Sequence, residues 1–158
     1  MACHRKEVFQ KVSLTYSYIQ QLLTTVKTWL NTYFAETVDG KTVIPDKVSF
    51  EDLPENDTGI CFSTVQAPLY AARYITGGYK GQYQFQIIYR VLPSDDGDMI
   101  DAVDFLMRFA EWCGSNPPTI TNAVNIRVEK TSNAAILTAY EDGANDYGIS
   151  LTLTWEEL

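Results

Sequence analysis

One stretch decides the fold: QYQFQIIYRV, residues Gln82–Val91. Tyrosine, phenylalanine, isoleucine and valine occupy its odd-numbered positions, and glutamine, isoleucine or arginine the even-numbered ones. Because successive side chains of a β-strand point to opposite faces of the sheet, this alternation predicts a strand with one face on a hydrophobic core and the other mostly polar. Such a half-buried strand is typical of an antiparallel sheet.

The sequence before this stretch predicts three more strands. Gly77–Gly81 supplies glycines, which reach the positive φ angles of a tight reversal, so we expect a hairpin between Leu69–Thr76 and the central strand. Ile60–Val65 is predicted as a further strand and Val48–Phe50 as a short one.

Two amphipathic helices are predicted. In Ser13–Phe34, apolar residues recur at helical spacing and leave Asn31 and other polar residues toward water. Ser94–Asp98 opens the second helix, since its carboxylates can accept hydrogen bonds from free backbone N–H groups. Gly114–Pro118 is predicted to end it. Its predicted apolar stripe consists of Met99, Ile100, Val103, Leu106, Met107, Ala110 and Cys113.

Three strands are predicted after the second helix: Val124–Lys130, Ala135–Tyr140 and Tyr147–Trp155, with Glu141–Asp146 as a hairpin loop between the last two. The order helix, strands, helix, strands predicts an α+β fold, in which two main helices pack on one face of a mixed, mostly antiparallel sheet. A chain of 158 residues fits a single domain over residues 1–158.

Charge and composition argue against several classes of protein. Twelve Lys and Arg residues against twenty Asp and Glu give a net charge of −8, which argues against nonspecific nucleic-acid binding through a basic face. Hydrophobic residues at 46% and charged residues at 20% argue against disorder, collagen and coiled coils. No apolar run approaches the ~20 residues of a membrane span, and no signal peptide is visible. With three scattered cysteines, we expect a protein made in a cytosol.

The sequence contains no motif typical of catalysis or metal binding. His4 is the sole histidine and lies beside Cys3 without further closely spaced ligands. The aspartates around Gly97 fit helix capping better than a calcium loop, in which the glycine comes later. The glycine turn lacks the Ser or Thr that follows lysine in a phosphate-binding loop. We therefore expect no catalytic residue, no metal and no cofactor, and predict that the protein is not an enzyme.

Aromatic residues make up 13% of the chain and include ten tyrosines. Most of the tyrosines on predicted strands are expected in the core or sheet, but some on an outward face would suit subunit contacts, where tyrosine, tryptophan and arginine are enriched. Arg73 and Arg90 fall within predicted strands. They could be interfacial ion-pair partners or charges that protect a sheet edge.

Two segments carry a family resemblance: Arg73–Arg90, and Asp101–Leu106 leading to Trp112. Together they resemble the tail terminator proteins of long-tailed bacteriophages, which in phages and prophages of Gram-positive bacteria are often labelled minor capsid proteins. The similar layout covers most of the chain. It consists of a long N-terminal helix, a hairpin with a glycine turn, a second helix after an acidic cap, and a closing β-hairpin.

This resemblance implies a structural virion protein that acts by shape, with no bond made or broken. It implies a homo-oligomeric ring, typically a hexamer, that caps the head-proximal end of the tail tube, ends tube polymerisation and joins the tail to the head connector. The implied partners are further copies of the chain, the major tail tube protein and the connector or neck protein, with no membrane and no sequence-specific nucleic acid. DNA would pass through the ring lumen, and an acidic lining would repel it. The implied locations are the bacterial host cytoplasm during assembly and then the virion tail.

Loops presented by a rigid sheet often carry binding functions, so the loop Asp39–Lys47 and the turn Gly77–Gly81 are predicted assembly contacts. One alternative is a neck or head-completion protein of similar size and acidity. Another, from a different class, is a small ligand-binding domain or an enzyme with an unrecognised site. The candidate interface residues are Asp39, Lys41, Lys47, Arg73, Tyr79, Lys80 and Arg90.

Overall fold

The computed structural model describes residues 19–34, 36–38, 41–43, 47–55, 57–75 and 77–157. The expectations for Cys3, His4, Asp39 and the first residues of the predicted Ser13–Phe34 helix lie outside these residues.

Two helices and nine strands are described. The first helix, α1, spans residues 19–32 of the described chain. The short strands β1 (Glu36–Val38) and β2 (Lys41–Val43) follow and pair antiparallel with each other. The second helix, α2 (Asp96–Ser115), divides the strands of the main sheet into two groups. Those strands are β3 (Val48–Phe50), β4 (Gly59–Thr64), β5 (Tyr70–Arg73) and β6 (Tyr79–Val91), then β7 (Val124–Lys130), β8 (Ala135–Ala139) and β9 (Asn145–Glu157).

Two long strands form the centre of the seven-stranded main sheet. β6 and β9 pair antiparallel along their whole length, from Tyr79 opposite Glu157 to Val91 opposite Asn145. The short strands β4 and β5 pair with the other side of β6, and β7 and β8 with the other side of β9. β3 pairs with β4 in parallel, and the other described pairings are antiparallel. The predicted α+β class with a mixed, mostly antiparallel sheet is confirmed.

The sheet has two distinct ends, which we name for later use. The upper end holds Val91 and Asn145, and the lower end holds Tyr79 and Glu157. β3 and β8 lie at the upper end, on opposite edges of the sheet, whereas β5 lies at the lower end.

Both helices pack on the face of the sheet that carries the odd-numbered side chains of β6. Trp29 of α1 contacts Phe85 edge to face, with ring centroids 6.3 Å apart. Phe105 of α2 contacts Tyr89 with centroids 5.0 Å apart. The predicted packing on one face is therefore observed. Fully buried side chains of the core include Phe62, Ile87, Phe109, Ile149, Leu151, Leu153 and Trp155.

The second helix begins and ends where the sequence predicts. Asp95 caps it, because its carboxylate accepts a hydrogen bond from the Asp98 N–H at 2.9 Å. The helix ends at Ser115, inside the predicted stop signal. The predicted apolar stripe is wrong at Ile100, which is 67% exposed. The buried face of α2 instead runs through Ala102, Leu106, Phe109, Ala110 and Cys113.

Asn31 is predicted to face water, but its side chain is buried against β3. Its amide nitrogen donates to the Val48 carbonyl oxygen at 3.1 Å, and its amide oxygen accepts from the Val48 N–H at 2.9 Å. The Glu51 N–H points toward β4, where it donates to the Phe62 carbonyl. Backbone N–H and C=O groups alternate in direction along a strand, so those of Val48, three residues earlier, point away from β4. The end of α1 therefore covers the outer edge of β3 at this point.

Asn31→Ala is expected to lower the free energy of unfolding by about 2 kcal/mol, because it leaves the buried N–H and C=O groups of Val48 unpaired. Urea denaturation measures the change. Thr24→Ala is the control, since the Thr24 hydroxyl is exposed and donates only to the Gln20 carbonyl of the same helix. Its effect should stay within about 0.5 kcal/mol. Equal effects of the two substitutions would contradict the role given to Asn31.

Candidate assembly surfaces

The chain reverses between β5 and β6, and Tyr74 and Gly78 lie on either side of this turn. The Tyr74 N–H donates to the Gly78 carbonyl at 2.7 Å, and the Gly77 N–H donates to the Tyr74 carbonyl at 3.0 Å. Gly77 has a φ angle of 96°, which explains the glycine at this position. Ile75 lies at the tip with its side chain fully exposed. The predicted turn, Gly77–Gly81, is thus displaced, because its last three residues belong to β6.

Three of the predicted interface residues lie together at the lower end of the sheet. Arg73 and Tyr79 oppose each other across β5 and β6. Both contact Tyr70: its ring centroid is 4.6 Å from that of Tyr79 and 5.3 Å from the Arg73 guanidinium. Lys80 is exposed and points to the other face of the sheet, opposite Glu156 of β9.

Glu156 is the centre of a polar cluster beside Lys80. Its carboxylate accepts hydrogen bonds from the Asn125 amide at 2.8 Å and from the Tyr74 hydroxyl at 3.2 Å. These two hydrogen bonds, followed by the charges of Lys80 and Arg127, hold the pKa of Glu156 below its usual value. The lower end of the sheet therefore presents a charged, hydrogen-bonded surface next to the apolar hairpin tip.

Arg90 lies on β6, inside the sheet, so it does not protect an edge. Its guanidinium forms a bidentate ion pair with Asp146 of β9, with Nε–Oδ1 at 2.7 Å and Nη2–Oδ2 at 2.9 Å. The Tyr140 hydroxyl donates to the same carboxylate at 2.8 Å, and Arg90 Nη1 donates to the Pro54 carbonyl at 2.9 Å. The predicted loop Glu141–Asp146 misses this pair because β9 already includes Asp146.

The charges of this pair are stabilised by each other. Burial raises the pKa of Asp146, but the hydrogen bonds from Arg90 and Tyr140 outweigh burial and hold the pKa below its usual value. The hydrogen bond to Asp146 likewise raises the pKa of Arg90. The Arg90 side chain is thus engaged within one chain, where it joins the two central strands.

The remaining predicted interface residues lie before β3. Lys47 is exposed, and its ammonium lies 5.4 Å from the ring centroid of Phe34. Lys41 is the first residue of β2, so part of the predicted loop Asp39–Lys47 is a strand of a hairpin.

The sheet edge formed by β8 is a surface that the sequence analysis missed. All of its residues are exposed, and they include Ile136 at 52% and Leu137 at 45%. Natural sheet edges are usually protected by charged residues, proline, bulges or a covering element. β8 has an irregular register between Ile136 and Thr138, but no charge, no proline and, in the described chain, no strand on its outer side. The sequence signal for it is the run without charges from Thr131 to Tyr140.

Three other kinds of site were considered: a metal site, a reactive cysteine and a ligand-binding groove. In the residues that the structure describes, no group of three or more His, Cys, Asp or Glu side chains could hold a metal ion. Burial raises the pKa of the Cys61 thiol to about 11 and also raises that of Cys113. An open groove of 540 Å³ between α1 and the end of α2 is lined mainly by threonines, prolines, Trp29 and Trp112.

No protein-family model and no curated protein matches the chain. Neither helix, as far as the structure describes it, is long and apolar enough to cross a membrane.

Proposed function

We propose that this protein is structural and assembles with further copies of itself through the edges of its sheet. The observation that carries the proposal is β8, an edge strand whose exposed side chains are uncharged and mostly apolar. Such an edge offers unpaired backbone groups and apolar surface to another chain. Removing apolar surface from water contributes about 25 cal/mol per Å², so covering Ile136 and Leu137 would favour association.

Among self-assembling proteins, we propose a tail terminator of a long-tailed bacteriophage. The support is the resemblance of Arg73–Arg90 and Asp101–Leu106 to that family. The hairpin before α2, the acidic cap of α2 and the closing β8–β9 hairpin follow the order of its layout. In this role a ring of copies caps the tail tube, ends its growth and presents a surface to the head connector. The exposed tip of the β5–β6 hairpin, at Ile75, is the contact that we assign to the tube.

Ile75→Asp is expected to weaken binding to the tail tube protein by roughly tenfold or more, because burial of an isoleucine side chain contributes about 2 kcal/mol. Stability should change by less than about 0.5 kcal/mol, since the side chain is fully exposed in the monomer. Titration with purified tube protein measures the affinity. Ile100→Asp, at an exposed isoleucine of α2, is the matched control and should leave binding unchanged.

Electron microscopy of tails assembled with and without this protein tests the proposed function directly. We expect tubes of uniform length when the protein is present and overlong or variable tubes when it is absent. Tails of normal length that fail to join heads would indicate the neck protein instead. Normal, head-joined tails without the protein would exclude both virion roles.

A further inference from the structure

We propose that the β1–β2 hairpin of one copy pairs with β8 of a neighbouring copy and extends its main sheet. This inference rests on the self-assembly part of the proposed function. It identifies the two surfaces that meet and predicts that they come from different chains.

The first step concerns which sheet edges are open. The outer edge of β3 is covered by α1 through the two hydrogen bonds between Asn31 and Val48. β5 carries Arg73, and β7 carries two basic residues and one acidic residue. β8 is the described edge with exposed apolar residues, no charge and no covering element. Of the described edges, β8 is therefore the one at which neither charge nor a covering element opposes pairing with a strand from another chain.

The second step concerns the hairpin. β1 and β2 pair with each other, and in the described chain neither pairs with a strand of the main sheet. An isolated two-stranded hairpin is marginally stable in water, and it becomes stable when a third strand joins it or when it packs against a helix. Their sequences, ETV and KTV, contain the β-branched residues that favour strands. Among the described residues the hairpin has no third strand, and β8 of another copy can provide one.

The third step excludes pairing within one chain. Val48, Ile60, Tyr89, Tyr147 and Ile136 form one row across five strands. At about 4.8 Å between strands, a further strand docked outside β8 lies ~24 Å from Val48. The chain from Val43 to Val48 spans at most about 18 Å. The same reach limits the other end of the hairpin. Glu36 is five residues from Asn31, which is hydrogen-bonded to Val48, so this stretch of chain also spans at most about 18 Å.

The fourth step concerns position. Five residues of chain keep the end of β2 within about 18 Å of Val48, and Val48 and Ile136 are both level with Tyr89. Copies placed side by side in one orientation therefore bring the hairpin of one copy next to β8 of the other. Each copy donates one hairpin and accepts one, so the contact is heterologous and can close into a ring.

Disulfide formation between two differently labelled populations tests the proposal. One population carries Thr42→Cys or Val43→Cys, at two adjacent positions of β2. The other carries Thr138→Cys in β8. Both contain Cys3→Ser, whereas Cys61 and Cys113 stay because they are buried. After mixing and oxidation, we expect a disulfide-linked pair with one chain from each population.

Two controls interpret the result. Ala139→Pro removes a backbone N–H from β8 that points away from β9, because the neighbouring Tyr140 N–H donates to the Ala144 carbonyl within the hairpin. It should abolish the cross-link while leaving the thermal unfolding midpoint within a few degrees. Oligomers in light scattering without the mixed disulfide, or with Thr138→Cys chains linked only to each other, overturn this inference and leave self-assembly standing. A monomer at all concentrations, with and without tube protein, overturns both.

Discussion

Gly81→Ala is expected to lower the free energy of unfolding by about 3 kcal/mol, although it adds a single methyl group. Gly81 lies opposite Trp155 in the central strand pair, and a Cβ atom at Gly81 would overlap the indole ring. Trp155 is fully buried and cannot move aside without disturbing the core. The glycine is therefore required by close packing and not by an unusual backbone angle. Urea denaturation followed by tryptophan fluorescence and by circular dichroism measures the loss.

Two further variants make this prediction specific. Gly114→Ala adds the same methyl group inside α2, where the nearest atom would be the Val128 carbonyl oxygen at 3.4 Å. It should raise stability by about 0.5 kcal/mol, because alanine favours a helix over glycine. Trp155→Phe combined with Gly81→Ala should recover part of the loss, so that the two substitutions couple by at least about 1 kcal/mol. Simple additivity would show that the two side chains do not collide.

Arg90→Ala is expected to lower the free energy of unfolding by about 3 kcal/mol. It leaves the Asp146 carboxylate, which is 8% exposed, without its counter-ion. The Tyr140 hydroxyl alone cannot replace the bidentate pair. Arg108→Ala is the matched control. Arg108 forms an ion pair of the same length with Asp104, 2.7 Å, but both side chains are more than half exposed. Its loss should cost less than about 0.5 kcal/mol.

The ion pair also predicts a dependence on pH. Because the pKa of Asp146 is lower in the folded protein than its ordinary value of 3.8, its contribution to stability is complete above that value. The contribution is lost as the pH falls below 3.8 toward the folded pKa. Denaturation midpoints measured from pH 6 down to pH 2 should therefore fall more steeply for the native protein than for Arg90→Ala. Parallel curves would contradict the assigned role of the pair.

Most of the fold could be predicted because its signals are local. The alternation in Gln82–Val91 and in Tyr147–Trp155 gave the two central strands, and the acidic cap gave the start of α2. The hairpin before β6 was predicted, but its tip was displaced toward the C-terminus by the glycines of Gly77–Gly81. Of these glycines, only Gly77 has a positive φ angle. Gly81 instead makes room for the indole ring of Trp155, a residue far away in the sequence.

The candidate assembly surfaces were harder to predict. The sequence pointed to residues at a hairpin, and three of them, Arg73, Tyr79 and Lys80, lie together at the lower end of the sheet. It did not point to Ile75 or to β8. An apolar residue that is exposed at a turn or on a sheet edge leaves no periodic signal in the sequence. Whether a strand lies at an edge depends on whether another strand pairs with it.

The periodicity of the sequence by itself determined the fold class of this protein. The hydrophobic effect places apolar side chains in the core and polar ones in water along each helix or strand separately, so the pattern can be read locally. Only the tertiary structure decided that Asn31 covers the edge of β3, that Arg90 meets Asp146, and that β8 is left at an open edge. Each of these depends on segments distant in sequence being brought side by side. Pairing of that kind follows from the order of strands in the sheet, which no local pattern of residues encodes.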